Sequence, residues 1–468
     1  MLIPERLAVV VGVDVDETRG DKPAARVDLV SASAVNRSDR DEATAGDSDV
    51  RLERRPAHAV RDGAAADDEI ECWHLREVRR QVRRFFATQA KPIMPRSMLA
   101  ALAVAVTAAS VAPASSAQVD AVIATIPVPG QPFASVSTHD GRVLFVSVSG
   151  TPAGVVVFRV VPKGLERIGF VALRTRGAFG LALLADDSVL LVADGEGVAL
   201  IDAAAATRGA RSEPVYVDDD PRAGTIEVVA TPDGRMAFAA DENVARVSVL
   251  RVQRQPNGAP GAVRTGRIAV DHAPVGLALS PDGTTLYVAG EVAAGDGATP
   301  GASGDLARSC GPRRIPNGTL TAIDVARATV VARLASGCSP VRTVVTADGA
   351  TVWVSVRGDD RVVAFDAAKI RSDPAHAFVA EAPVGPAPVG LALLAHDTLL
   401  VVANSNRFGP GAATSNATIL KVGIPPAQRS TVATGAFPRE FSLSPDGSVL
   451  YLTNFRSRTI ELIDVSRL

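Results

Sequence analysis

The chain has 468 residues, with 49 Lys and Arg against 51 Asp and Glu and a formal net charge of −2, so no global field draws it to nucleic acid or to an anionic membrane. Only 4% of its residues are aromatic, three Tyr and two Trp among them, which leaves no platform for stacking single-stranded bases.

In chain order, the charge comes first. Residues 1–97 hold 35 charged side chains, whereas 118–468 hold 65 among 351, and that drop marks a boundary. Residues 1–93 read as a disordered or over-called upstream extension. "LREVRRQVRRFF" (Leu75–Phe86) sets Leu75, Val78, Val82 and Phe85 on one helical face with five Arg elsewhere. That pattern would also suit a membrane-surface helix, but chance periodicity in an Arg-rich, Asp-rich segment is the preferred account.

At the boundary stands "MLAALAVAVTAASVAPASSAQ", Met98 to Gln118. Its apolar run, Met98–Ala112, is 15 residues long. That is shorter than the roughly 20 a spanning helix needs and within the roughly 7–15 of a signal core. Pro113 ends the helix, Ser115 and Ala117 offer small residues to a signal peptidase, and Arg96 supplies the positive lead. Residues 94–117 are therefore expected to be a signal peptide, and 118–468 a mature protein exported to the periplasm or beyond, with no stable membrane span.

After Gln118 one phrase recurs seven times. "PVGLALSPDGTTLYVAG" (Pro274–Gly290) is the clearest copy, and its turn Asp recurs at 140, 187, 233, 282, 348, 397 and 446. Apolar residues alternate on either side of the turn, as in Leu277 and Leu279, then Leu286 and Val288, which is the period of a strand. Asp-Gly provides the positive φ of a tight turn. A third strand ends in Asp202, Asp324, Asp366 or Asp464, where an Asp is expected to cap the turn that follows rather than to catalyse. A fourth strand links each copy to the next. The last copy lacks one, and "DAVIATIPVPG" (Asp120–Gly130) is the spare that would complete it. Periods of 40–50 residues closed in this way predict an all-β, seven-bladed β-propeller of four-stranded blades, its ring closed by an N-terminal outer strand.

"SPDGTTLYVAG" (Ser280–Gly290), "GTLTAIDVARATVVARLASG" (Gly318–Gly337) and "SPDGSVLYLTNFRSRTIELIDV" (Ser444–Val465) resemble the YVTN-type β-propeller repeat. The resemblance covers 119–468. It implies a seven-bladed propeller, exported in many bacterial members, within a superfamily that includes lactonase-like propellers resembling phosphogluconolactonase. One propeller fold hosts many functions.

In such a ring, the loops entering the inner strands and those leaving the second strands share the face around the channel. Arg342, Arg439, Glu440, Asn404, Asn454 and Arg357 are the candidate ligand-binding residues there, with Asp271, His272, Glu291, Arg407 and Arg456 on the same rim. Converging Arg suit a carboxylate or phosphate, so a small anionic ligand or a protein partner is expected; the alternative is that the Arg simply pair with neighbouring carboxylates. Glu440 and His272 are the candidate general bases if the protein is a lactonase-like hydrolase acting on a small acidic lactone. No G-x-S-x-G or haem motif is present. His139, His272, His376 and His396 form no pair at metal-ligand spacing, so neither a metal site nor a cofactor is expected, and the protein is expected to be monomeric. Cys310 and Cys338 make an even pair in the exported region, consistent with a disulfide that pins a Gly/Pro-rich loop or with two buried thiols. A ligand- or protein-binding scaffold is the first functional expectation, and the hydrolase the second.

Overall fold

The computed structural model describes residues 13–14, 26–27, 117–162, 164–209, 212–217, 220–293, 310, 317–409 and 415–468. Within Met1–Arg61, Val13–Asp14 pairs antiparallel with Arg26–Val27. The rest of the expected extension (1–93) and all but Ala117 of the expected signal (94–117) lie outside the described residues.

Seven sheets form the propeller. The first blade is Gln131–Ser137, Val143–Ser149, Gly154–Val161 and Gly164–Ala172, antiparallel throughout. The inner strands of the next six are Leu181–Leu183, Thr225–Ala230, His272–Leu279, Pro340–Val345, Pro388–Leu394 and Pro438–Leu443. The seventh blade takes its outer strand from the N-terminal side: Val122–Pro127 pairs with Thr459–Asp464. Closure thus follows the expectation. One feature goes beyond it, because Ala117–Val119 adds a fifth, parallel strand to the edge of the sixth blade, on Ala427–Ala433.

The core lies between blades. Each adjacent pair shares an apolar cluster, including the seventh with the first, where Val128, Leu144 and Val146 meet Tyr451, Ile460 and Leu462. Each such side chain contributes about 1.5–3 kcal/mol of burial, and closure removes the open sheet edges.

The Asp-Gly turns join antiparallel strands and supply the expected positive φ. Gly141, Gly234, Gly283, Gly349 and Gly447 do take φ between 67° and 72°. The Asp before each Gly works through its carboxylate: Asp233 accepts from the Thr231 hydroxyl (2.5 Å) and from the Arg235 N–H (3.0 Å). Hydroxyl donors of this kind hold the turn carboxyls at Asp140, Asp233, Asp282, Asp348 and Asp446 below their usual range. The third-strand Asp residues cap, as expected: Asp202 accepts from the Ala205 N–H (2.8 Å), Asp324 from Arg327 (2.9 Å) and Asp366 from Lys369 (3.0 Å).

Candidate functional site

The inner strands converge on the channel in register. The second position of each repeat places Phe133, Phe179, Ile226, Val275, Val341, Val389 and Arg439 in one collar. Val275, Val341 and Val389 are buried against one another with Ile226 alongside. Hydroxyls from second strands fix the collar: Ser147 donates to the Phe179 carbonyl (2.6 Å), Ser355 to Val389 (2.7 Å) and Thr453 to Phe133 (2.8 Å).

The next position reads Ala134, Gly180, Glu227, Gly276, Arg342, Gly390 and Glu440. A bulge interrupts the pairing beside it in several blades, between Pro274/Gly276, Pro340/Arg342 and Pro438/Phe441 for example, which re-aims the side chain. Glycine is required where strands approach closely, because a Cβ on Gly276 would collide with the Val341 carbonyl and one on Gly390 with that of Arg439. The charged residues of this layer come from the third, fifth and seventh blades and meet at the axis. Arg342 donates through Nε to Glu440 and through Nη1 to the Val275 carbonyl and to the Val341 carbonyl (3.1 Å). Its Nη2 lies 3.2 Å from Glu227 Oε2.

Burial opposes the Arg342 charge, but Glu440 and Glu227 outweigh it and hold the guanidinium above its usual value. Glu227 is pushed up to about 8 by burial, against the pull of Arg342 and with help from Glu440. One cation therefore stands between two carboxyl groups, and burial favours the neutral form of Glu227.

Arg439 is the single charged member of the collar. Its guanidinium lies over Phe133, 3.7 Å from the ring centroid, with Phe455 at 5.5 Å and Phe437 at 5.9 Å. It makes no ion pair with a described residue, and its buried Nε has no hydrogen-bond partner. Burial, followed by the charge of Arg342, pushes it down to about 9.

The other candidates are placed as follows. Arg357 is buried and pairs with Glu291 at 2.8 Å. Glu242 stands beside this pair and is pushed up to about 7 by burial and then by the Glu291 charge. Asn404 and Asn454 are buried at the ends of second strands and bond sideways within their own blades: Asn404 Nδ2 donates to Asn416 (2.6 Å) and Thr418 (2.8 Å), and Asn454 Nδ2 to Thr459 (3.3 Å). The His272 side chain is exposed and makes no hydrogen bond to a described residue. Structure therefore brings Arg342, Arg439 and Glu440 together and leaves His272 apart. His139 bonds Asp187 of the next turn (2.7 Å). Cys310 and Cys338 are joined as a disulfide; Arg308, Arg313 and Arg314 of the attached loop lie outside the described residues.

Sequence reasoning missed Glu227, Glu242 and the aromatic lining. The signal for Glu227 was available, since it shares a column with Arg342 and Glu440 where the sister blades carry Gly or Ala. Outside the channel, a groove of about 680 Å³ lies on the Asp-Gly turn face, lined in part by Asp282, Asp324, Arg327 and Arg371. The two carboxylates already have partners there, hydroxyls at Asp282 and guanidinium groups at Asp324. No cluster of His, Cys, Asp and Glu suited to a metal occurs among the described residues.

No family model matches the chain, and no curated protein does. Solved propellers do. Hydrazine synthase of Kuenenia stuttgartiensis superimposes with a TM-score of 0.54 at 18% identity over 73% of this chain and 97% of that one. The Cps50 (Swd1) β-propeller domain of Myceliophteria thermophila gives 0.53 at 14% identity, covering 74% and 99%. A chain of the mitotic checkpoint complex gives 0.55 at 12% identity, covering 79% and 99%. At these identities the likeness is one of fold.

Proposed function

We propose that the chain is an exported propeller that binds a small anionic ligand at the channel mouth, with Arg439 as its anchor. The observation that carries this reading is an unpaired guanidinium in a collar otherwise made of hydrocarbon. A half-buried cation without a paired carboxylate is costly, and an incoming carboxylate or phosphate would supply the missing acceptor through charge-assisted hydrogen bonds. Arg342, by contrast, is engaged by Glu440, by Glu227 and by two backbone carbonyls, and serves as the floor of the site. The disulfide supports export, since such bonds persist in oxidising compartments, and no described helix is long and apolar enough to cross a membrane.

The hydrolase alternative gains nothing from the geometry. Glu440 is held by Arg342, and His272 stands apart, so neither expected base is poised over the collar. Calorimetric titration of the full chain with butyrate and with inorganic phosphate tests the binding reading. Binding that weakens about tenfold or more in Arg439→Ala is expected, from a charged hydrogen bond of about 1.5–3 kcal/mol. No heat with either anion, or equal affinity in the variant, would overturn it.

A further inference from the structure

Strand register places three charged residues at one level on the mouth side of the collar. Thr225 pairs with Asp241, Pro274 with Gly290 and Pro340 with Val356, so Glu242, Glu291 and Arg357 follow at equivalent positions of the third, fourth and fifth blades. Arg357 and Glu291 take each other at 2.8 Å. Glu242 is left over. Its backbone is fixed: Glu242 N–H donates to the Gly224 carbonyl (3.2 Å) and Asn243 N–H to that of Ala223 (3.0 Å), in a 3-10 turn over Glu242–Val244. Its carboxyl makes no hydrogen bond or ion pair with a described residue.

Glu242 and Arg439 face the same mouth. Burial, then the Glu291 charge, pushes Glu242 up to about 7, while the charges of Arg357, Arg439 and Arg342 act in the other direction. No ion pair joins Glu242 to Arg439, whose guanidinium lies over Phe133, 3.7 Å from the ring centroid. The collar beside them is apolar. Ile226 lies on the strand that pairs with the one leading to Glu242, and Val275, Val341 and Val389 continue it. The mouth thus holds a cation and a carboxyl group at one apolar collar, neither of them paired with a described residue.

Given that Arg439 anchors an anion, we infer that the ligand is a small amino carboxylate, its carboxylate on Arg439, its ammonium on Glu242 and its short hydrocarbon body against the collar. An anion alone would satisfy Arg439 and set a second negative charge before Glu242. An amine alone would do the reverse. A zwitterion offers acceptor oxygens to the guanidinium and N–H donors to the carboxylate, both as charge-assisted hydrogen bonds, and so relieves two desolvated groups at once. The hydrocarbon that joins its two ends is favoured by the apolar collar over water.

The test is calorimetric titration of the full chain at pH 8 and low salt with 2-, 3- and 4-aminobutyrate, against butyrate, butylamine and inorganic phosphate. The aminobutyrates share one carbon chain with butyrate and differ only in where the ammonium sits. At least one is expected to bind about tenfold or more tightly than both butyrate and butylamine, with a clear optimum set by the spacing of the two anchors. Glu242→Gln is expected to bring the ratio to butyrate close to one. Butyrate binding with no aminobutyrate preference, or a preference that survives Glu242→Gln, would overturn the inference and leave the anion-site reading standing. Butylamine binding as tightly as the best aminobutyrate would overturn it as well, since the carboxylate would then contribute nothing. No heat from butyrate or from phosphate would remove both.

Discussion

Arg439→Leu separates function from stability. In the collar, Leu restores the hydrocarbon that the other blades supply, at the position where the wild type keeps a cation over Phe133. Burial pushes Arg439 down to about 9, and at about 1.4 kcal/mol per pKa unit the charged form is disfavoured by roughly 4–5 kcal/mol. The side chain remains partly exposed, which lowers that figure. The cation–π contact with Phe133 returns about 0.5–2 kcal/mol, and Leu fills less space than Arg. The net expectation is a gain of about 1–3 kcal/mol without ligand, or about 1.5–4 °C in Tm for a ring of about 350 residues, together with loss of anion binding. Thermal denaturation and calorimetry on the same preparations read both effects. A second signature is the pH dependence. With the folded value near 9 and the unfolded value higher, the unfolded chain binds more protons between them, so wild-type stability should rise with pH across that window. The Leu variant should lack this rise. A lower Tm with anion affinity intact would refute the reasoning, because Arg439 would then be a structural cation.

Glu242, held near 7 in the fold, should make stability fall as pH rises from about 4.5 toward 7, since the folded chain keeps a proton that the unfolded chain has lost. Glu242→Gln should flatten that fall and stabilise by about 1–2 kcal/mol at pH 8 after allowance for residual solvent access; a denaturation series across pH that shows no difference would remove Glu242 from the account. The Cys310–Cys338 bridge spans a sequence separation of 28, so Cys310→Ser with Cys338→Ser should cost about 3–4 kcal/mol by chain entropy, read as a lower urea midpoint. Removing residues up to 127 strips the outer strand from Thr459–Asp464 and bares an edge, so light scattering on heating should rise sharply; a clear, cooperative melt would show that the strand is dispensable. Replacing Glu227, Arg342 and Glu440 together by Gly should change Tm little but lower the yield of correctly refolded ring, and an unchanged yield would deny the cluster any part in assembly.

The fold was legible because its causes are local and repeated. The alternating apolar phrase recurs seven times, with Asp-Gly in five of its turns and a capping Asp on four of the third strands, and the missing last strand pointed to Asp120–Gly130 as its replacement. The parallel strand Ala117–Val119 was not legible, since three residues carry no period. The site was legible by halves. The rim of loops entering the inner strands included Arg342, Arg439 and Glu440, all three of which lie within those strands, but composition alone did not separate the ion-paired Arg342 from Arg439, which has no ion pair with a described residue. That difference depends on Glu227 reaching across from the third blade. Asn404 and Asn454 share the same rim in sequence, yet their amides turn into their own blades because Asn416 and Thr459 stand opposite them on the third strands.

The axial ion cluster raises a question of its own. Pairing in the interior about offsets desolvation and no more, and the sister blades fill the same column with Gly or Ala, so stability alone does not call for Glu227, Arg342 and Glu440. What apolar packing cannot supply in a ring of seven similar sheets is order. Every interface between blades is hydrocarbon of one kind, and a blade docked out of turn would bury much the same surface. Three residues on the third, fifth and seventh blades, one cation between two carboxylates, are satisfied only when those blades occupy their own places, in the way a single buried polar group fixes register in a coiled coil. The seventh blade then performs two tasks at consecutive positions of one strand. Glu440 engages the axial cluster, and Arg439, one residue earlier on the strand, makes no ion pair with a described residue because Arg342 holds Glu227 and Glu440. The axial cluster thereby leaves Arg439 available for the proposed anion beside it.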